Sequence, residues 1–409
     1  MPLQPRARSK ASQDNDSKIL DAGIAEAHAV GIDRVALRAV VRRCNLTSGA
    51  IYGRYEDADD FIASVWTERL SKPLFQFLSD AMASMLDKED APPIDSIAST
   101  IANPPKNLAV ALEALVVGRR NDVLGEEVRD DFAAWCEKWG LDTKTDPTVR
   151  MLNVVALTTV LGAAVYGFAE PKLTDWNLVF AIMSTAIRET LSTAGTKAPI
   201  IGDVLPNVEV SPGTGEPLRD ALITATANVI GRAGYERATV SRIGRRAKLT
   251  GGAVYTRYDS KDDLIIDTLD TLLSGAVVGT SELTVHGVRA GDLGESVGKI
   301  YTLGVTPTRR PWRQFRLETY VAARTRKEPR AALRRIHAAG IVRYHEMLDG
   351  RSKMNGDVIR LVARGGQSIP LGLSLVESYE TDLHDLNFHP FSSTLISLLR
   401  AASAGSSAP

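Results

Sequence analysis

The chain has 409 residues, too many for one ordinary domain at about 100–200 residues per domain, and its 44% hydrophobic content can fill more than one core. Charged residues make up only 24%, which excludes a disordered polyelectrolyte. Lysine plus arginine equals aspartate plus glutamate at 49 each, so no global field draws the molecule to nucleic acid or anionic lipid, and any such site must be a local patch.

Residues 1–10 are polar and basic, without the apolar core of a secretory signal. Two cysteines, Cys44 and Cys136, are too few for a disulfide scaffold. The expectation is a cytoplasmic protein with reduced thiols. Residues 1–16 read as a flexible basic arm in which Arg6, Arg8 and Lys10 could reach phosphate or a minor groove. Ser17 can cap a first helix through Ile19, Leu20, Ile24 and Ala27, ending near Gly31. A short helix over 37–44, a turn at Asn45-Leu46 and a third helix capped by Thr47 follow, then a longer one opening near Asp59. Apolar helical patterns then fill 73–86, 108–118, 151–168 and 176–191.

Past the midpoint the chain resembles itself. Leu46-Thr47-Ser48-Gly49-Ala50-Ile51-Tyr52-Gly53-Arg54-Tyr55 returns as Leu249-Thr250-Gly251-Gly252-Ala253-Val254-Tyr255-Thr256-Arg257-Tyr258, at an offset of 203. Gly31 matches Gly234, Arg34 matches Arg237, and Arg42-Arg43 match Arg245-Arg246 at the same offset. Glu113 and Arg119 match Glu318 and Arg324 at 205, and Asp175-Trp176-Asn177 matches Asp385-Leu386-Asn387 at 210, as loop insertions produce. The repeat unit is a whole protein, so the pattern reads as a tandem duplication. The second copy continues with helical patterns over 313–323, 330–348, 357–375 and 391–401.

The expected organisation is all-α: an arm to 16, a helix-turn-helix over 17–65, a helical effector and interface domain over 66–193, and a Gly/Pro/Ser/Thr-rich linker over 194–216. A second helix-turn-helix over 217–268, a second effector domain over 269–401 and a flexible tail over 402–409 complete it. Residues 151–169 carry no charge and reach membrane-spanning length. Their counterpart, 356–374, carries Asp357, Arg360 and Arg364, so the expectation is a buried bundle or interface helix and no membrane partner.

Two short helices after a longer one are the pattern of a helix-turn-helix, whose second helix enters the major groove. From Arg34 to Tyr55 there are five arginines and no acid, and from Arg237 to Tyr258 six basic residues and no acid. The neutral whole hides two basic heads. A packed helical hairpin with a solvated basic face would also produce one such segment; two copies keeping Thr, Gly, Ala, Tyr and Arg at one spacing favour DNA.

At these residues, and at Asp259-Ser260-Lys261-Asp262-Asp263-Leu264, the chain resembles the tetracycline-repressor (TetR) family of bacterial regulators. The resemblance is specific over about 50 residues in each copy. It implies a dimeric repressor whose C-terminal helices form a ligand pocket and a four-helix interface, with a small-molecule effector releasing a double-stranded DNA operator. By position it makes Thr47, Tyr52, Thr250 and Tyr255 phosphate contacts, and turns Ser48, Ala50, Gly53, Gly251, Ala253 and Thr256 toward base edges. Arg54 and Arg257 serve either role, Lys261 resembles a phosphate-binding lysine, and Arg38, Thr239 and Ser241 complete the DNA-facing set. Copy one departs: Ala58 stands for Lys261 among Glu56, Asp57, Asp59 and Asp60, and Ala36 for Thr239. That makes the second head the stronger expected binder.

Two arrangements stay open, an intrachain pseudo-dimer joining 151–168 and 176–191 to 357–375 and 391–401, and an intermolecular dimer with four heads. Candidate ligand residues are Trp135, Tyr166, Phe168 and Trp176 in copy one, and Trp312, Phe315, Tyr320 and Tyr344 in copy two. The basic run from Arg309 to Arg335 suits either an acidic ligand or a solvated face, and the solvated face is the expectation. Gly294 to Lys299 misses phosphate-loop spacing, and the histidines lack ligand spacing, so no cofactor, metal or enzyme activity is expected. A relative that binds a small molecule or protein without DNA is the alternative function.

Overall fold

A computed structural model describes residues 10–193 and 210–405, helical throughout with no strand among them. The first half runs α1 (Lys10–Val30), α2 (Leu37–Cys44), α3 (Ser48–Tyr52), α4 (Ala58–Val65), α5 (Ser71–Met85), α6 (Ile94–Ala102), α7 (Lys106–Gly118), α8 (Asp122–Lys138), α9 (Pro147–Tyr166) and α10 (Trp176–Thr193). The second runs α11 (Pro217–Arg237), α12 (Val240–Arg246), α13 (Gly251–Tyr255), α14 (Lys261–Ala290), α15 (Leu293–Val305), α16 (Arg310–Thr325), α17 (Lys327–Leu348), α18 (Gly356–Val376) and α19 (His389–Gly405). The order of helices repeats, except that α4 and α5, joined by a π-helical turn at Trp66–Leu70, stand where α14 is unbroken.

Several boundaries differ from the sequence reading. α1 starts at Lys10 rather than Ser17, so part of the expected arm is helical. Its extra turn is anchored where Asp16 accepts a hydrogen bond from Arg54. α19 reaches Gly405, inside the expected tail, because buried Ser403 accepts from the Asn355 amide. Arg6, Arg8 and most of the linker, 194–209, lie outside the described residues.

Two compact units divide the chain, Met1–Phe75 with Pro105–Asp131, and Gln76–Pro104 with Phe132–Pro409. In the first, Ile19, Val40, Ile51 and Phe61 bury the inner faces of α1 to α4. Gly31 closes α1 at φ 91, ψ 151, a conformation open to glycine but not to side chains. α7 packs along α1, and its buried Glu113 accepts from the Ile32 amide at 2.7 Å. Arg120 then grips Asp33 through two nitrogens at 3.1 and 2.5 Å, both side chains almost wholly buried.

The second unit repeats this chemistry around α11 to α13, where Leu222, Val240, Ile243, Val254, Tyr258 and Leu264 form one core. Gly234 turns the chain at φ 81, ψ 161. α16 packs along α11, and Arg326 grips Glu236 at 2.5 and 2.6 Å. In the same unit α9 lies along α18 and α10 along α19. α9 is long and apolar enough to cross a membrane, but 89% of its 18-residue window is buried within the protein. Its contact with α18 is backbone-close. A Cβ at Gly162 would collide with the Ser368 carbonyl oxygen, and one at Gly372 with that of Thr158.

Candidate nucleic-acid interface and a buried cavity

Each candidate recognition helix begins after an extended threonine, Thr47 at φ −79, ψ 153 and Thr250 at φ −75, ψ 154. The preceding turn passes through a left-handed residue in both halves, Asn45 (φ 54) and Lys248 (φ 60). Thr250 Oγ1 accepts from the Ala253 amide at 3.3 Å, a true N-cap, while Thr47 makes no such side-chain bond. Thr239 likewise caps α12 by accepting from the Arg242 amide at 3.2 Å, and Ala36 offers nothing to α2.

The expected contact surface is outward-facing in both heads. Tyr52 and Tyr255 are 56% and 58% exposed, unusual for aromatic side chains. Arg38, Thr47, Gly53, Thr239, Ser241, Thr250 and Thr256 are exposed, with Ala50 and Ala253 half-buried between them. Ser48 and Gly251 open α3 and α13 in backbone, but their side-chain environments lie outside the described residues. No atom lies within 4 Å of a Cβ built on Gly49, so the leading face is thin enough for close approach.

The arginines are not idle. Arg54 Nε donates to Asp16 at 2.6 Å, and Arg257 Nη2 lies 2.6 Å from Glu216. Lys261 is half-buried rather than presented to solvent: Nζ donates to the Tyr235 carbonyl at 3.1 Å and sits 4.8 Å over the Tyr235 ring. Burial pushes its pKa down. One of its three donors is thus taken by the Tyr235 carbonyl, which braces α14 against α11. The same helix carries Asp267, which accepts from Tyr258 Oη at 2.6 Å and from Arg219 Nε at 3.0 Å. Burial disfavours the Asp267 charge, but these donors overcome it and hold the carboxyl below its usual range. Ser64 and Asp16 occupy the corresponding places in the first half, so that brace is missing there.

α14, α16, α17 and α18 enclose a cavity of about 140 Å³. Of the candidate ligand residues, Trp312, Tyr320 and Tyr344 line it and the others do not. Phe315 is fully buried in the core, Trp135 donates to Ser79 Oγ at 3.0 Å, and Trp176 stacks on Phe180. Tyr166 stacks on His337 with ring centroids 4.1 Å apart and donates to Gln367 Oε1 at 3.0 Å. Large aromatic side chains served the core first.

The basic run divides: Arg310, Lys327, Arg334 and Arg335 are exposed, as a solvated face requires, while Arg309 and Arg313 are 7% and 2% exposed and line the cavity with Arg316 and Arg343. Helical spacing of 309, 313 and 316 was the signal: it puts three cations on one face, and that face also carries Trp312 and Tyr320. Deeper in, Tyr320 Oη lies 2.5 Å from His337 Nε2, and His337 Nδ1 lies 3.4 Å from Glu170. No metal-holding group of His, Cys, Asp and Glu was found among the described residues.

Residues 222–268, from α11 into α14, match the model of the bacterial regulatory proteins, tetR family. The match covers the second helix-turn-helix and the opening of α14. No curated protein matches the chain.

Proposed function

We propose that the chain is a ligand-responsive transcription regulator, most simply a repressor, in which two duplicated units form an intrachain pseudo-dimer with two DNA heads. The observation that carries the arrangement is reciprocal. α9 and α18 end at Tyr166 and Val376, an offset of 210 rather than the 205 expected from sequence. At that offset Thr158 matches Ser368 and Gly162 matches Gly372, and Gly162 faces Ser368 while Gly372 faces Thr158. A surface that meets its own equivalent in this way is the mark of a two-fold interface. Two heads are what a pseudo-palindrome with half-sites about 34–36 Å apart requires, and unequal heads suit unequal half-sites.

Ligand response is supported by α16. It carries Trp312, Arg313, Arg316 and Tyr320 in the cavity wall, packs along α11, and is followed at once by Arg326 on Glu236 of the DNA-binding segment. A ligand that moves α16 moves the head. The proposed regulator is non-enzymatic and cytoplasmic.

The test is selection of duplexes from a random pool by the full chain at about 150 mM salt, where nonspecific contacts are already weak. A two-part motif of unequal halves, bound by one chain per duplex, is expected. A second reading, a ligand or protein binder without DNA, is favoured by the carboxylates already seated on Arg54 and Arg257. A folded protein that enriches no sequence would establish it, and a dimer in solution would remove the pseudo-dimer.

A further inference from the structure

The cationic cavity has an apolar neighbour. A second chamber of about 80 Å³ is faced by Val297, Leu348, Leu361, Ile369, Leu395 and Ile396, and no charged side chain lines it among the described residues. Thr284, Ile300, Tyr344, Gly366 and Pro370 line both chambers, so the two adjoin. The first chamber has four arginines and, among the described lining residues, no carboxylate.

The charges of Arg313 and Arg316 are incompletely answered by protein. Glu377, outside the lining, is shared between Arg313 at 2.8 Å and Arg310 at 3.1 Å. Arg316 Nη2 donates only to neutral oxygens, the Pro370 carbonyl at 2.5 Å and Ser374 Oγ at 3.0 Å, and its buried Nε has no partner. Arg313 Nε is also buried without one. Loss of water and the neighbouring Arg313 and Arg309 push the Arg316 pKa down to about 10, the behaviour of a cation short of counter-charge.

We propose that the two chambers take one amphipathic anion, its carboxylate or phosphate head against Arg316 and Arg313 and a short apolar tail in the second chamber. Its role as effector rests on the regulator reading above; its binding rests on the cavity alone. A neutral guest leaves the buried guanidinium groups uncompensated, and a cationic one adds to them. A fully polar anion gains nothing from the second chamber.

The test titrates the full chain by calorimetry with octanoate, octyl phosphate, 1-octanol and octylamine. One octyl anion per chain is expected, bound about tenfold or more tightly than octanol, with octylamine weaker still. Either anion in front supports the shared chemistry and identifies the head. Arg316→Gln is expected to lose about tenfold for the anions and little for octanol, and Arg316→Lys to recover part of the loss. Arg343→Glu, at an exposed position where folding is not at stake, is expected to weaken the anions as well. Octanol binding as tightly as octanoate, anion affinity unchanged in both Arg316→Gln and Arg343→Glu, or no binding of any probe overturns the proposal. Parallel DNA retention separates the two ideas. Anion binding that leaves DNA retention unchanged keeps the ligand class and removes its effector role; intact DNA binding without anion binding does the reverse.

Discussion

Arg257, two residues beyond the exposed Tyr255, is held by Glu216 at 2.6 Å, so the arginine best placed for a phosphate already rests on a carboxylate. The hydrogen bond to Glu216, together with its charge, raises the Arg257 pKa. A phosphate must displace that carboxylate, and the exchange costs part of the affinity. Glu216→Gln is therefore expected to tighten DNA retention about two- to tenfold at low salt and to steepen the salt dependence by about one phosphate contact. Anisotropy over a salt series decides it; an unchanged slope would show that Arg257 does not reach DNA.

The heads differ in construction as well as in sequence. The second has two threonine caps and the Tyr258–Asp267–Arg219 brace, while the first opens α4 with Asp57 accepting from the Asp59 and Asp60 amides, placing acid where phosphate would approach. Tyr255→Phe with Arg257→Ala is expected to cost more DNA affinity than Tyr52→Phe with Arg54→Ala. An equal or reversed loss would refute the ranking.

Arg120 and Asp33 form the more buried of the two clamps that fasten a head to the helices behind it. Removing one member of a buried pair leaves the other charge uncompensated, at about 3–5 kcal/mol. Arg120→Ala should destabilise by that order and Arg326→Ala by about half as much, because its pair is better hydrated. Urea unfolding of both variants is the measurement; equal losses would contradict the burial argument.

Gly372→Ala and Gly162→Ala each put a methyl group into an opposing carbonyl. Backbone cannot move aside as a side chain does, so each is expected to cost about 1–3 kcal/mol or more. Gly252→Ala, with only Thr250 Oγ1 near its Cβ position, serves as the control with little strain. Thermal midpoints that fall equally in all three would show that the helix crossing is not tight.

Burial pushes the His337 pKa below its ordinary value, against the contact with Glu170 and with Arg364 and Arg334 assisting the decrease. Tyr320, kept protonated by its own burial, donates to Nε2 and leaves Nδ1–H toward Glu170. An unfolded histidine gains a proton near about pH 6.5, and the folded ring does so only at lower pH. In that interval the unfolded state binds more protons, so stability rises with pH and is lost as pH falls through about 6.5. Between about pH 7.5 and 5.5 the thermal midpoint should fall more steeply in the native chain than in His337→Phe. Parallel slopes would place the titration elsewhere.

Much of the fold was legible because local rules agreed with the whole. Gly31 and Gly234, the left-handed turns and the Thr-Gly-Ala-Tyr runs are decided within a few residues, and the heads follow from them. α6, α8 and α15 were not foreseen. α15 contains Gly294 and Gly298, which weaken a helical pattern but let α19 approach at Ser393 and His389, a distant contact that no local pattern reports. The cavity was half legible for the same reason. Which face of α16 meets water depends on α14, α17 and α18, so spacing could align Arg309, Arg313 and Arg316 without saying what they face.

The contact of α9 with α18 joins two stretches of a single chain. In a regulator assembled from separate subunits, dilution dissolves such a seam, and melting temperature follows protein concentration. In the proposed intrachain pseudo-dimer the partners cannot diffuse apart, so at a few copies per cell the bundle would stay as fully formed as in a concentrated solution.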